Sequence, residues 1–388
     1  MYPFDVEIDA GRANEDEYWR INRIHRIIGY AQAIADIDGN EDFYKKLKNV
    51  YGYKGSLTVE WKISPTESEK EYLQKAWESI VTDYEGNPIE HIIKKNGGAK
   101  MTGFNYILTK QISWANRNNL ELVGSKKNKG RKSYTINLNH NLFEPLSKQV
   151  KTELENGDGG ELNESKTHSA KMCAVHSSSA IGVNFFQYWQ NKKIPNIAYA
   201  LGLCNRNNLS ASEIHFEQKF EISNQFRFSP NIDVVIKNEE FNKFKVFGIE
   251  CKFSEAYSSR KHPGLKKKYI DVIPEQWIDI PNLLELAKQI SPTDDKFNYL
   301  HPAQLIKHIL GLKKEYKKTG FRLLYLWYDV FGIDGCEHRK EIENFSAIAK
   351  RDNIKFHAIS YQELIIKLNN EFYDDNKKYI NYLTDRYL

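Results

Sequence analysis

Pro230-Asn231-Ile232-Asp233-Val234-Val235-Ile236 and Gly248-Ile249-Glu250-Cys251-Lys252-Phe253 carry the most structural information in this chain. Both are apolar runs with isolated charges, the pattern of strands buried on both faces. The polar turn Asn238–Lys243 separates them, so Asn231–Lys237 and Phe244–Phe253 are expected to pair as a hairpin. Side chains two apart leave a strand on the same face, so Glu250 and Lys252 project together. Asp233, on the neighbouring strand, brings a second acid within reach.

Breaking a phosphodiester requires a nucleophilic water and neutralisation of charge at phosphorus. Two carboxylates can hold Mg²⁺ through hard oxygen ligands and leave positions for water and a phosphate oxygen. A nearby ammonium favours the deprotonated form of that water. Asp233, Glu250 and Lys252 therefore describe a metal-dependent phosphodiesterase, the competing reading being a surface ion pair on an edge strand. An acid-x-Lys triplet alone says little. It recurs at 60–62, 164–166, 217–219, 250–252, 294–296, 315–317 and 375–377. Glu60-Trp61-Lys62 has no acid on an adjoining strand, and no acid-bearing strand precedes Glu217-Gln218-Lys219. Only Glu250-Cys251-Lys252 combines an apolar strand with an acid one hairpin away.

Further out, Ser177–Trp189 reads as a helix capped by Ser177, and Phe216–Ile222 as a strand. Pro281–Ile290 and Pro302–Leu312 read as helices with proline in the first turn. Phe321–Val330 is a long buried strand, Asp334–His338 a turn, Arg339–Arg351 a helix and Lys355–Ser360 a strand. This half is mixed α/β (α+β). The Gly-rich, polar stretch Leu154–Thr167 marks a boundary, giving an N-terminal region 1–150, a linker 151–167 and a C-terminal domain 168–388.

The N-terminal region is also mixed, with helices expected at Glu15–Ile37 and Ser68–Val81 and a strand at Leu57–Ile63. From Pro88 the order is helix, helix, hairpin. Thr109 caps a short helix through Asn118, and Leu120–Val123 and Tyr134–Leu138 flank the turn Ser125–Lys132. That is the order of a winged helix over about 88–140. Between Lys94 and Lys132 the basic residues face a single acid, Glu121. Lys110, Arg117, Lys126, Lys127, Lys129, Arg131 and Lys132 are thus expected to contact DNA; the alternative is a solvated charged loop on an ordinary hairpin.

The Asp…Glu-x-Lys arrangement resembles the PD-(D/E)XK nuclease superfamily. His176–Asn184, Glu250–Tyr257, Gln304-Leu305-Ile306-Lys307-His308 and Phe321–Asp329 are similar to restriction-endonuclease-like proteins of that superfamily, over about 168–365. Asn231 and Ile232 intervene between Pro230 and Asp233, a departure from the motif. The resemblance implies a restriction-endonuclease-like domain with a central mixed sheet flanked by helices. It implies Asp233, Glu250 and the Cys251 backbone carbonyl as metal ligands, and Lys252 as the residue orienting water. Glu217 would be an upstream acid near the metal, and Gln304 a polar position on a downstream helix. Mg²⁺ would be the cofactor, with Mn²⁺ as substitute, and double-stranded DNA the substrate of a homodimer. A type II-like bacterial restriction endonuclease fits this best. Alternatives are a nuclease of transposition, repair or another anti-phage defence system, or a non-catalytic DNA-binding protein of the same fold.

Composition bounds the rest. Lys+Arg number 56 against 51 Asp+Glu, a net charge of +5, so only the local charge distribution argues for nucleic acid. No run approaches the ~18 apolar residues of a membrane span. The start Met1-Tyr2-Pro3-Phe4-Asp5 lacks the features of a secretory signal. The 4 cysteines are scattered, as reduced thiols of a cytoplasmic protein would be.

Overall fold

The computed structural model describes residues 47–53, 56–61, 66–67, 102–127, 129–258, 262–330 and 332–388. The helices expected at Glu15–Ile37 and Ser68–Val81, and the first helix of the winged-helix order, lie outside them. In chain order the main elements are β1 (Leu47–Tyr53), β2 (Ser56–Trp61), α1 (Gly103–Arg117), β3 (Leu122–Val123), β4 (Tyr134–Thr135), α2 (Lys148–Asn156), α3 (Ser178–Phe186) and α4 (Ile194–Ala200). They continue with β5 (Ala211–Lys219), β6 (Asn231–Asn238), β7 (Val246–Lys252), α5 (Pro281–Gln289), α6 (Pro302–Tyr316), β8 (Phe321–Trp327), α7 (Gly332–Arg351), β9 (Phe356–Ser360) and α8 (Tyr361–Tyr387). Among the described residues no helix is long and apolar enough to cross a membrane.

The chain divides into two units. One takes the described residues up to Glu121, Asp329–Cys336 and Tyr361–Leu388; the other takes Leu122–Tyr328 and Glu337–Ser360. The second holds a five-stranded sheet in the order β5-β6-β7-β8-β9. β5, β6 and β7 run antiparallel, and β7, β8 and β9 run parallel. The expected mixed α/β core is therefore present, and the β6–β7 hairpin forms with Val234 opposite Ile249 and Ile236 opposite Phe247.

Central β8 (FRLLYLW) is covered on both faces, which is why it reads as a nearly unbroken apolar run. On one side Leu323 and Tyr325 join a core with Leu283 and Leu286 of α5, Ile306 and Ile309 of α6, and Ile342 and Phe345 of α7. On the other, α3 lies across β6 and β7. Ser177 caps α3 as expected, its Oγ accepting from the Ala180 N–H at 3.2 Å. Gly311 lets α6 approach the sheet region closely: a β-carbon there would stand 2.7 Å from the Phe220 carbonyl oxygen. Gly311→Ala is expected to destabilise by about 1–3 kcal/mol through forced displacement of α6. Thermal melting checks this, and an unchanged Tm would show that α6 has room to shift.

Several boundaries differ from the sequence reading. The opening residues of the expected linker, 151–156, belong to α2, which is capped by Ser147. Glu153 of α2 accepts from the Phe216 N–H at 2.9 Å and lies 2.8 Å from the His215 ring, so this acidic stretch is fastened to β5 rather than left in solvent. α1 begins at Gly103 and not at Thr109, with Thr102 as its N-cap, the hydroxyl accepting from the Asn105 N–H. Asp334-Gly335-Cys336-Glu337-His338, read as a turn, is the opening of α7. Asp334 there accepts the Gly103 N–H at 2.7 Å.

In the first unit, α1 buries one side against the end of α8. Arg386, fully buried, lies 4.0 Å over Trp114 and donates through Nε to Gln111 Oε1 at 2.9 Å. Lys110 is buried beside them and donates to the Leu388 carbonyl. Expected as a DNA contact, Lys110 is placed here with its positive charge against a carbonyl at a helix C-terminus.

Candidate active site

The register of the sheet assembles the site. In the β5–β6 pair Phe216 faces Val234 and Gln218 faces Ile232, which sets Glu217 across from Asp233. Glu217, within β5, has φ +52°, the left-handed region that a side chain disfavours. Such a conformation costs of order 1–3 kcal/mol and persists where the surroundings impose it, often at functional sites. Asn231 Nδ2 donates to Glu217 Oε2 at 3.0 Å. On the next strand Cys251 donates its N–H to Asp233 Oδ2 at 2.7 Å, which fixes the carboxylate against β7.

Strand alternation does the rest. Cys251 turns its Sγ toward Gly182 of α3, where a β-carbon would lie 3.7 Å away. Glu250 and Lys252 leave on the opposite face, toward α6. Glu250 is 0% exposed and His308 1%, and the Lys252 side chain is 14% exposed. Lys252 Nζ lies 2.6 Å from Glu250 Oε1, an ion pair, and donates to Gln304 Oε1 at 3.1 Å. His308 Nε2 lies 2.8 Å from Glu250 Oε2. An ionised carboxylate only accepts, so Nε2 carries the proton of that bond.

The electrostatics separate the two acids. Burial would push Glu250 up, but Lys252 and His308 outweigh it and hold the carboxyl at about 2. For Asp233, burial and then the charge of Glu250 push its carboxyl well above the usual range, with Lys252 pulling the other way. Glu217 is also raised, by burial first and by Glu250 further, against the Asn231 hydrogen bond. Burial would lower Lys252, yet Glu250, Asp233 and Glu255 hold its ammonium above the ordinary lysine range. The site is one firm ion pair beside two carboxyls that resist ionisation.

Such a group suits a divalent cation. Among the described residues no three His, Cys, Asp or Glu side chains form a ready-made cage. Mg²⁺ needs none, since it is held by one or two carboxylates and keeps several waters. The available atoms are the hard oxygens such an ion takes. Asn231 Oδ1 and Glu255 Oε1 are, in addition, buried without a hydrogen-bond donor.

Of the expected site residues, Asp233, Glu250, Lys252 and Gln304 meet in one place, and Glu217 lies across from Asp233. His308 was missed as a site residue. Its signal was the i, i+4 spacing from Gln304, which puts both on one helix face. His308→Leu removes a charge-assisted hydrogen bond and is expected to cost about 1.5–3 kcal/mol of stability. His308→Gln, which keeps a donor, should recover most of it; equal melting temperatures for the two variants would contradict the assigned contact.

The basic segment lies elsewhere. Lys126, Lys129, Arg131 and Lys132 are exposed at the β3–β4 hairpin, while Lys127 pairs with Glu164 at 2.8 Å. Arg117 is half-buried in the last turn of α1. α1 falls in one unit and the hairpin in the other. Burial, then Arg131, lowers His176 to about 4, as suits a neutral structural histidine.

No curated protein and no solved structure matches the chain. Residues 108–388 do match the family model described as Restriction Endonuclease associating with ARP, and a mixed sheet flanked by helices is the fold that description leads one to expect. With most of its length covered by that match, the chain belongs to this restriction-endonuclease-like family.

Proposed function

We propose that the chain is a Mg²⁺-dependent DNA endonuclease of the PD-(D/E)XK type, most simply a type II-like restriction enzyme. The observation that carries this reading is the buried Glu250–Lys252 pair at 2.6 Å, with Asp233 held beside it by the Cys251 N–H. Asp233 and Glu250, with the Cys251 carbonyl, would hold the ion, and Mn²⁺ would substitute. Bound there, it would supply charge neutralisation at phosphorus and acidify a water. Lys252, kept cationic, favours the anionic form of a water placed beside it. Gln304 fixes the ammonium, His308 fixes Glu250, and Glu217 places a further carboxyl on the Asp233 side.

Double-strand scission by single sites is most simply done by a symmetric pair, so a homodimer is part of the proposal. The exposed lysines of the hairpin, with Arg117 and Arg131, would add affinity for DNA. The family description names association with ARP, which we take as a second partner. A bacterial cytoplasmic setting follows from the restriction role.

Incubating the protein with supercoiled and linear DNA plus Mg²⁺, beside an EDTA control, tests the reading. Discrete fragments that vanish with EDTA are expected. A metal-dependent smear would move the assignment to a less specific defence or repair nuclease. Binding without any cleavage would leave a non-catalytic DNA-binding protein.

A further inference from the structure

A second cluster of cations stands next to the site, apart from the β3–β4 hairpin. Lys307 lies on α6, three residues after Gln304 and one before His308, within one turn of the groups that hold Lys252 and Glu250. Lys266, Lys267 and Lys268 follow a loop locked in place. Gly264 lets that loop approach the neighbouring backbone, since a β-carbon would stand 2.3 Å from the Ile290 carbonyl oxygen. Leu265 donates its N–H to the same carbonyl at 3.0 Å, and Pro263 bridges to Thr293. His262 stacks on His301 at 4.7 Å, and His301 Nε2 reaches the Pro263 carbonyl at 3.2 Å, tying the loop to the start of α6.

None of these four ammoniums is paired with an acid among the described residues. Lys268 instead rests 4.6 Å over the Phe226 ring and 5.1 Å over Tyr269. Burial lowers Lys307, and the charges of Lys266, Lys252 and Lys268 lower it further against the opposing pull of Glu250. Cations gathered this way repel one another and weaken the fold unless a polyanion joins them. A DNA duplex supplies one phosphate charge per about 1.7 Å of its axis, both strands counted, a density that suits closely set lysines.

We propose that Lys266, Lys268 and Lys307 form a phosphate-binding track that grips the DNA backbone beside the phosphate being cut. This rests on the nuclease reading for the identity of the strand. The nuclease domain thereby positions its own substrate, independently of the β3–β4 hairpin.

The test is fluorescence anisotropy of a labelled DNA duplex with the full chain in EDTA, over a range of salt concentrations. Lys266→Gln/Lys307→Gln should flatten the slope of log K against log[salt] by about 2, at roughly 0.9 per lost phosphate contact. Lys266→Arg/Lys307→Arg should keep the wild-type slope, and thermal melting checks that both variants fold. An unchanged slope in the glutamine variant, or no binding by the wild type, overturns the track. Binding in EDTA needs no cleavage, so the two ideas fail separately. A flattened slope without Mg²⁺-dependent cleavage would keep the track and remove the nuclease reading; cleavage with an unmoved slope would do the reverse.

Discussion

Lys252→Met is expected to reduce DNA cleavage by at least about 10²–10³-fold, the usual cost of losing one preorganised charged group. The lysine is nearly buried, and its ammonium has two fixed neighbours, Glu250 and Gln304. Breaking a buried ion pair costs about 3–5 kcal/mol when one charge is left without a partner. Glu250 keeps His308, so the loss should lie at the low end of that range. Acid sensitivity gives a second reading. Glu250 is depressed to about 2, so its stabilising contribution is full above the ordinary carboxylate range and is lost as pH falls through 2. Without Lys252 that loss should begin at higher pH. Arg is not expected to rescue, because its planar fork does not fit between Glu250 Oε1 and Gln304 Oε1 as a point charge does. Wild-type cleavage rates in the methionine variant would remove Lys252 from the chemistry.

Asp233→Asn should separate function from stability. Cleavage is expected to vanish, yet the metal-free variant should melt higher than the wild type near neutral pH. The sign follows from linkage. A carboxyl whose folded pKa is raised binds its proton more tightly in the folded state, so stability falls as pH climbs from the unfolded value toward the folded one. Asparagine can still accept the Cys251 N–H and carries no charge to bury. Mg²⁺ should then raise the Tm of the wild type far more than that of the variant, which keeps Glu250 but loses the carboxylate at position 233. A variant less stable than the wild type at every pH would mean that Asp233 is structural.

The hairpin that builds the site was legible because β6 and β7 combine apolar runs with isolated charges, and the fold class followed from it. Period-2 alternation sufficed to place Glu250 and Lys252 on one face. Other features needed tertiary information. Lys110 looks like any surface lysine until the end of α8 supplies carbonyls for it. The acidic segment after Ser147 resembles a linker by composition, but Glu153 has backbone and imidazole partners on β5. Glu217 was legible as an acid upstream of Asp233, whereas its left-handed backbone was not. His308 closes the segment Gln304-Leu305-Ile306-Lys307-His308, but its role depends on how closely α6 approaches β7. Gly311, facing Phe220, permits a comparably close approach in the same helix.

Plasmid cleavage during a Mg²⁺ titration, with wild type, Asp233→Asn and Lys252→Met side by side, tests the central claim most directly. The account predicts Mg²⁺-dependent strand breaks for the wild type alone, abolished by EDTA, with both variants still folded by thermal melting. Cleavage that persists in either variant, or that ignores Mg²⁺, would contradict a catalytic centre at Asp233, Glu250 and Lys252.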